Sequence, residues 1–155
     1  MSLLGYTDAD YVGFLVHRKS TSGMAQFLGP PLVSWGSKKQ NSVALSTTEA
    51  EYVAAEACCF LLLWLKQQLS DFGMDFSSVK ILCDNTSTIN ISKNPVHHSR
   101  TKHIDIRHHF LRDHVEKGNI VLDHCKDQIA DIFTKALNRE QYENLRLHLG
   151  LIPLA

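Results

Sequence analysis

Ser46-Thr47-Thr48-Glu49, followed by a run that stays apolar on almost every side to about Ser70, constrains this chain more than any other feature. A serine hydroxyl accepts from the amide three residues on and a glutamate at that place reaches back, so the four residues read as a capping box. A helix with so little polar surface has no face to offer water and belongs at the centre of a fold. It needs layers around it.

The flanking sequence supplies them as short segments. Residues 3–7 are apolar and run into acids, which predicts a buried strand with Asp8 at its C-terminal end. Residues 23–28, the turn signal Gly29-Pro30-Pro31 and residues 32–35 complete an antiparallel meander. Phe72-Gly73 ends the long helix, residues 79–83 form a fourth strand, and Asp84-Asn85 closes it with another carboxylate. A short helix over residues 86–92 stops at Asn94-Pro95, because proline disfavours helix in the residue before it. Ile104, Phe110, Leu111 and Val115 are spaced for a helix from His103 to about Lys117, ended by Gly118-Asn119. Residues 120–122, or slightly beyond, make a fifth strand. Asp127 is placed to cap a helix carrying Ile129, Ile132, Phe133 and Leu137, and residues 140–149 form a last amphipathic helix. This order predicts an α/β fold, a five-stranded mixed sheet flanked by helices, with parallel pairing around the fourth and fifth strands. A chain of 155 residues that is 44% hydrophobic suits a single domain over residues 1–155.

Composition narrows the partners. With 16 basic and 16 acidic residues there is no global positive field, so any polyanion must be bound locally. Cys58, Cys59, Cys83 and Cys125 form no C-x-x-C pair and read as reduced core residues of an intracellular protein, cytoplasmic or nuclear. The opening residues do not resemble a signal peptide. The longest apolar run, residues 53–65, is broken by Glu56 and falls short of the roughly 20 residues that span a bilayer, so no membrane partner is expected.

Seven acids adjoin apolar segments: Asp8, Asp10, Glu49, Glu51, Asp84, Asp127 and Asp131. Ligands of open α/β sheets gather beyond the carboxyl ends of parallel strands, where such acids can converge. Magnesium prefers oxygen ligands, and two ions bridged by one carboxylate can activate a water and neutralise a leaving oxygen. Taken singly, the same acids also read as caps and loop residues.

The stretch Gly5-Tyr6-Thr7-Asp8-Ala9-Asp10 resembles the opening of the ribonuclease H domain of copia-type LTR retrotransposon polyproteins. Arg18-Lys19-Ser20-Thr21-Ser22-Gly23, Val33-Ser34-Trp35, Ser37-Lys38-Lys39-Gln40 and Leu45-Ser46-Thr47-Thr48-Glu49-Ala50-Glu51-Tyr52 follow in that family's order. So do Cys83-Asp84-Asn85, Asn94-Pro95, the run from His98 to Arg107, and the run from Asp127 to Leu137. The resemblance implies a ribonuclease H-like fold and a magnesium-dependent endonuclease that cuts the RNA strand of RNA–DNA hybrids, leaving 5′-phosphate and 3′-hydroxyl ends. It implies two Mg2+ ions, with Mn2+ as a substitute, held by Asp8, Glu51, Asp84 and Asp131. Asp8 would be shared, with Asp131 on the ion carrying the attacking water and with Glu51 and Asp84 on the other. It also implies a reverse transcriptase domain in the parent polyprotein and a particle-associated setting in the cytoplasm, or a nuclear one. Cys125-Lys126-Asp127 is about two residues shorter than that family's usual stretch, so the placement of Asp131 is the point to check.

Substrate contacts are expected from Ser46, Thr47 and Thr48 at the start of the long helix, from Asn85, and from the basic residues Arg100, Lys102 and Arg107. Asp10 reads as a loop acid or an outer partner of the site, and His124 as a strand-end residue or a catalytic histidine. A zinc site among His97, His98, His103, His108, His109 and His114 lacks neat i,i+4 histidine pairs. Three other classes stay open: a catalytically silent ribonuclease H-like module that binds nucleic acid or serves structure, a DNA nuclease of the same superfold, and a histidine-rich zinc protein.

Overall fold

The computed structural model describes residues 1–14, 16–94, 104 and 109–153. Five strands form one sheet in the order β3-β2-β1-β4-β5. They are β1 (Leu3–Phe14), β2 (Lys19–Leu28), β3 (Leu32–Lys39), β4 (Val79–Cys83) and β5 (Ile120–His124). The first three make the antiparallel meander, and β4 and β5 extend the sheet in parallel from β1. The sheet is therefore mixed, as the order of elements predicted.

Helix α1 (Thr47–Asp71) crosses one face of the sheet and buries Ala50, Tyr52, Ala54, Ala55, Cys58, Cys59 and Leu62. Its closest approach is over Gly5, where a Cβ would lie 2.6 Å from Leu62 Cδ1 and 2.8 Å from Cys58 Sγ. Any larger residue there would push on the Leu62 and Cys58 side chains and force the core beneath the helix to repack. The outer face of α1 leaves Phe60 and Trp64 more than half exposed, so the helix is central but not enclosed on every side. Helices α2 (Thr86–Lys93) and α3 (Phe110–Glu116) flank α1, and Ile89, Ile104 and Leu111 join the main core with Ile81, Ile120 and Leu122. A smaller core of Ala25, Phe27, Ile129 and Leu149, with Tyr6 and Phe133 against it, lies on the opposite face. The 3-10 helix Ile129–Phe133 contributes to it, and α4 (Arg139–His148) follows.

Several elements differ from expectation. Strand β1 runs on past residue 7, so Asp8 and Asp10 lie within it, paired with Gly23 and Thr21, rather than at its end. Polar side chains interrupt the apolar pattern because this part of the strand faces the site, while the ladder continues regardless of side chain. The pairing breaks between Asp10 and Phe14, where Val12 takes φ 57°. Asp127 caps nothing in the segment after β5; the cap is Gln128, which accepts from the Ala130 amide, and the helix is a single 3-10 stretch. Of the helix expected over residues 103–117, the span Phe110–Glu116 is described as helix, and residues 105–108 lie outside the described part.

Candidate active site

Each acid reaches the site from a different element. Asp8 projects from β1, paired on that strand with Gly23 of β2. Alternation along a strand puts Tyr6, Asp8 and Asp10 on the face away from α1. Glu51 stands one turn inside α1 and is almost fully buried. Asp84 follows directly on β4, and Asp131 belongs to the 3-10 helix after β5.

These pieces meet. Oxygens of Asp8, Asp84 and Asp131 lie within 4.8 Å of one another, and Glu51, Cys83 and Asp84 form a second group within the same span. Asp84 belongs to both. Asp10 and His124 belong to neither, and among the described residues no such group contains a histidine. The short Cys125-Lys126-Asp127 stretch therefore still delivers Asp131 to the cluster.

The delivery has a visible cause. Gln128 is buried and its Nε2 donates to the Thr7 carbonyl at 2.8 Å, pinning the segment to β1 beside Asp8. Gly23 then lets the 3-10 helix lie flat on β2, since a Cβ there would sit 2.6 Å from Thr134 Cγ2 and 3.0 Å from the Ala130 carbonyl. Thr134 Oγ1 donates to Asp8 Oδ2, and Lys135 Nζ lies 2.8 Å from Asp131 Oδ1 and 3.3 Å from Asp8 Oδ2. Sequence reasoning singled out none of Gln128, Thr134 and Lys135. The one available signal was the i,i+4 spacing of Asp131 and Lys135.

Electrostatics mark the same place. Burial raises Asp8 to about 6, against the opposing pull of Thr134 and Lys135, and the neighbouring Asp131 and Asp84 raise it further. Glu51 is pushed up to about 8 by burial and then by Asp8 and Asp84, with a hydrogen bond from the Ala9 backbone working the other way. Its Oε2 is buried without a hydrogen-bond partner. The ammonium of Lys135 is held above its ordinary value: burial opposes it, but Asp131 and Asp8 outweigh burial. Crowded carboxylates with raised values and an orphaned oxygen fit a divalent cation, and the all-oxygen set of Asp8, Glu51, Asp84 and Asp131 fits a hard one such as magnesium.

Of the expected substrate residues, Ser46, Thr47, Thr48 and Asn85 are among those described, and they lie at the starts of α1 and α2. Ser46 Oγ accepts from the Glu49 amide as the N-cap of α1, while Glu49 Oε2 accepts from the Leu45 amide. Asn85 caps α2 by accepting from the Thr88 amide. Thr88 Oγ1 donates to the Thr48 carbonyl, so the starts of α1 and α2 sit side by side, with Thr47 exposed. Arg100, Lys102 and Arg107 lie outside the described residues, as do His97, His98, His103 and His108. All four cysteines are free and buried, and burial pushes the Cys58, Cys59 and Cys125 thiols up to about 12.

No family model matches the chain. The retrovirus-related Pol polyprotein from transposon TNT 1-94 of Nicotiana tabacum is 40% identical to it over 151 residues, covering 96% of this chain and 11% of that polyprotein. The corresponding polyprotein from transposon RE2 of Arabidopsis thaliana is 38% identical over 157 residues, covering 99% and 11%. The chain is a homologue of plant transposon Pol polyproteins. It spans only about a tenth of their length. The crystal structure of LC11 ribonuclease H1 in complex with an RNA/DNA hybrid matches with a TM-score of 0.53 at 16% identity, covering 86% of this chain and 94% of that one. This segment of the Pol homologue has the ribonuclease H fold.

Proposed function

We propose that the chain is a metal-dependent ribonuclease H that cleaves the RNA strand of RNA–DNA hybrids. The observation that carries this reading is the convergence of Asp8, Asp84 and Asp131 within 4.8 Å, with Glu51 joined to them through Asp84. It is supported by homology to Pol polyproteins and by the fold shared with a ribonuclease H1 that binds such a hybrid. Residues 1–155 are taken as one domain of a larger polyprotein, in which a reverse transcriptase domain is the natural partner.

Asp8 is central in this reading: it shares one carboxylate group with Asp84 and Asp131, and its charge is felt by Glu51. Two Mg2+ ions, or Mn2+ in their place, would supply an activated water and offset the charge on the leaving oxygen. The protein's own contribution is to hold four carboxylates on a rigid sheet and helix so that little reorganisation remains at the moment of reaction. The exposed Thr47 and the amides at the start of α1 are placed to meet phosphate or 2′-hydroxyl groups, and Asn85 stands next to Asp84 for the same use.

Cleavage of a labelled hybrid with and without magnesium tests the proposal. Wild-type protein is expected to release products with 5′-phosphate and 3′-hydroxyl ends, and both Asp8→Asn and Asp84→Asn are expected to lose at least about a thousandfold in rate. Hybrid bound without being cut in either metal would replace the enzyme with a silent binding module. Equal cutting of duplex DNA would point to a DNA nuclease.

A further inference from the structure

Lys135 is the feature of the cluster that the proposed chemistry does not use. Its Nζ lies 2.8 Å from Asp131 Oδ1, 3.3 Å from Asp8 Oδ2 and 3.4 Å from Asp8 Oδ1. The side chain is tethered from the end of the 3-10 segment, where the Lys135 amide donates to the Asp131 carbonyl at 3.0 Å. Its ammonium therefore lies on the oxygens that a cation between Asp8 and Asp131 would need. The ammonium's N–H groups point at the same carboxylate oxygens that an ion at this edge would coordinate, so the two compete for those oxygens, and charge repulsion adds to the competition. The lysine stem is flexible and 39% exposed, so the ammonium has a route to water.

We infer that Lys135 is a tethered counter-ion: its ammonium holds Asp8 and Asp131 together in the metal-free protein, and a divalent ion must displace it to take the edge between them. The inference rests on the metal-dependent reading above. Lys135 is thus a positioning residue that keeps the cluster assembled while weakening its grip on metal. Without it, the Asp8 and Asp131 carboxylates would share the cluster with no cation between them, and the Thr134 hydroxyl would still donate to Asp8.

Titrating the intact chain with MgCl2 or MnCl2, without nucleic acid and followed by calorimetry and by melting temperature, tests this. Lys135→Met should bind the metal roughly tenfold more tightly than wild type and melt lower when metal-free. Lys135→Arg should stay near wild type in both. Lys126→Met, which removes a cation from the cavity that Asp131 also lines, should leave affinity unchanged. Lys135→Gln serves for Met if the latter does not fold. Unchanged or weaker binding by the neutral Lys135 variants overturns the inference, as does equal tightening by Lys126→Met, which would signal a general field. If wild type binds metal and Asp8→Asn does not, such a failure leaves the proposed function standing. If neither wild type nor Lys135→Met takes up metal, the metal reading falls and this inference with it.

Discussion

Asp8 and Glu51 hold their protons at pH values where surface carboxyls have lost theirs, about 6 and about 8 respectively. The cause is burial first; the charges of Asp131 and Asp84 add to it at Asp8, against Thr134 and Lys135, and those of Asp8 and Asp84 add to it at Glu51. In the unfolded chain both return to ordinary carboxyl values near 4. Between about pH 4 and pH 8 the folded, metal-free protein therefore binds more protons than the unfolded chain, and its stability must fall as pH rises. The slope is up to about 1.4 kcal/mol per pH unit for each proton that has to leave. Thermal unfolding in chelator at pH 5, 6.5 and 8 should show the midpoint dropping, and Glu51→Gln should flatten the part of the drop nearest pH 8. Adding magnesium at pH 8 should restore the midpoint, because the ion binds the deprotonated set. A midpoint that climbs steadily from pH 5 to pH 8 without metal would contradict the assignment. Asp10 gives the matching negative: Asp10→Asn should keep cleavage within about threefold of wild type, since Asp10 joins neither carboxylate group.

At the scale of elements, the site depends on how closely one short segment lies on the sheet. Gly23→Ala would place a methyl group 2.6 Å from Thr134 Cγ2 and 3.0 Å from the Ala130 carbonyl. The second contact is backbone and cannot swing aside, so the 3-10 helix must lift, at a cost of about 1–3 kcal/mol. Asp131 and Lys135 move with it. Activity should fall by much more than the loss of stability alone explains, which paired measurements of melting temperature and hybrid cleavage would reveal; a fall in both that tracks the unfolded fraction would refute the packing argument. The same segment shows where sequence reading stopped. Strand β4 and helix α1 were legible because an apolar run and the Ser46 cap announce them locally, and α2 because Asn94-Pro95 stops it, whereas the cap that Asn85 supplies to α2 came only with the structure. Asp127 is the better N-cap by local chemistry, and the hydrogen bond of Gln128 to the distant Thr7 carbonyl is what overrides that preference. The true length of β1 was hidden for a related reason: Asp8 and Asp10 look like a strand's end, yet their ladder partners Gly23 and Thr21 carry the strand onward. Thr134 and Lys135 have partners that no local pattern encodes, so their proximity to Asp8 came only with the fold.

For the whole molecule, the even balance of 16 basic and 16 acidic residues means that no net field draws in a nucleic acid. Binding of a hybrid has to rest on a few local contacts, each of which releases counterions from the phosphate backbone. Raising salt from about 50 to about 200 mM should therefore increase KM for hybrid while leaving kcat nearly constant. A kcat that falls in step with KM unchanged would place the salt effect in the metal site instead. Among the described residues no helix is long and apolar enough to cross a membrane. The architecture also brings together what the chain separates: Leu4 lies beside Lys80 in the sheet, and Lys80 beside Val121. On a ribosome, Asp8 emerges long before the strand that shelters it and longer still before Gln128 can pin Asp131 against it. The growing polypeptide thus carries an unfinished acid pocket through most of its synthesis, and the cluster cannot close in a chain that has not been translated past Asp131. Any nuclease of this design begins its life disarmed.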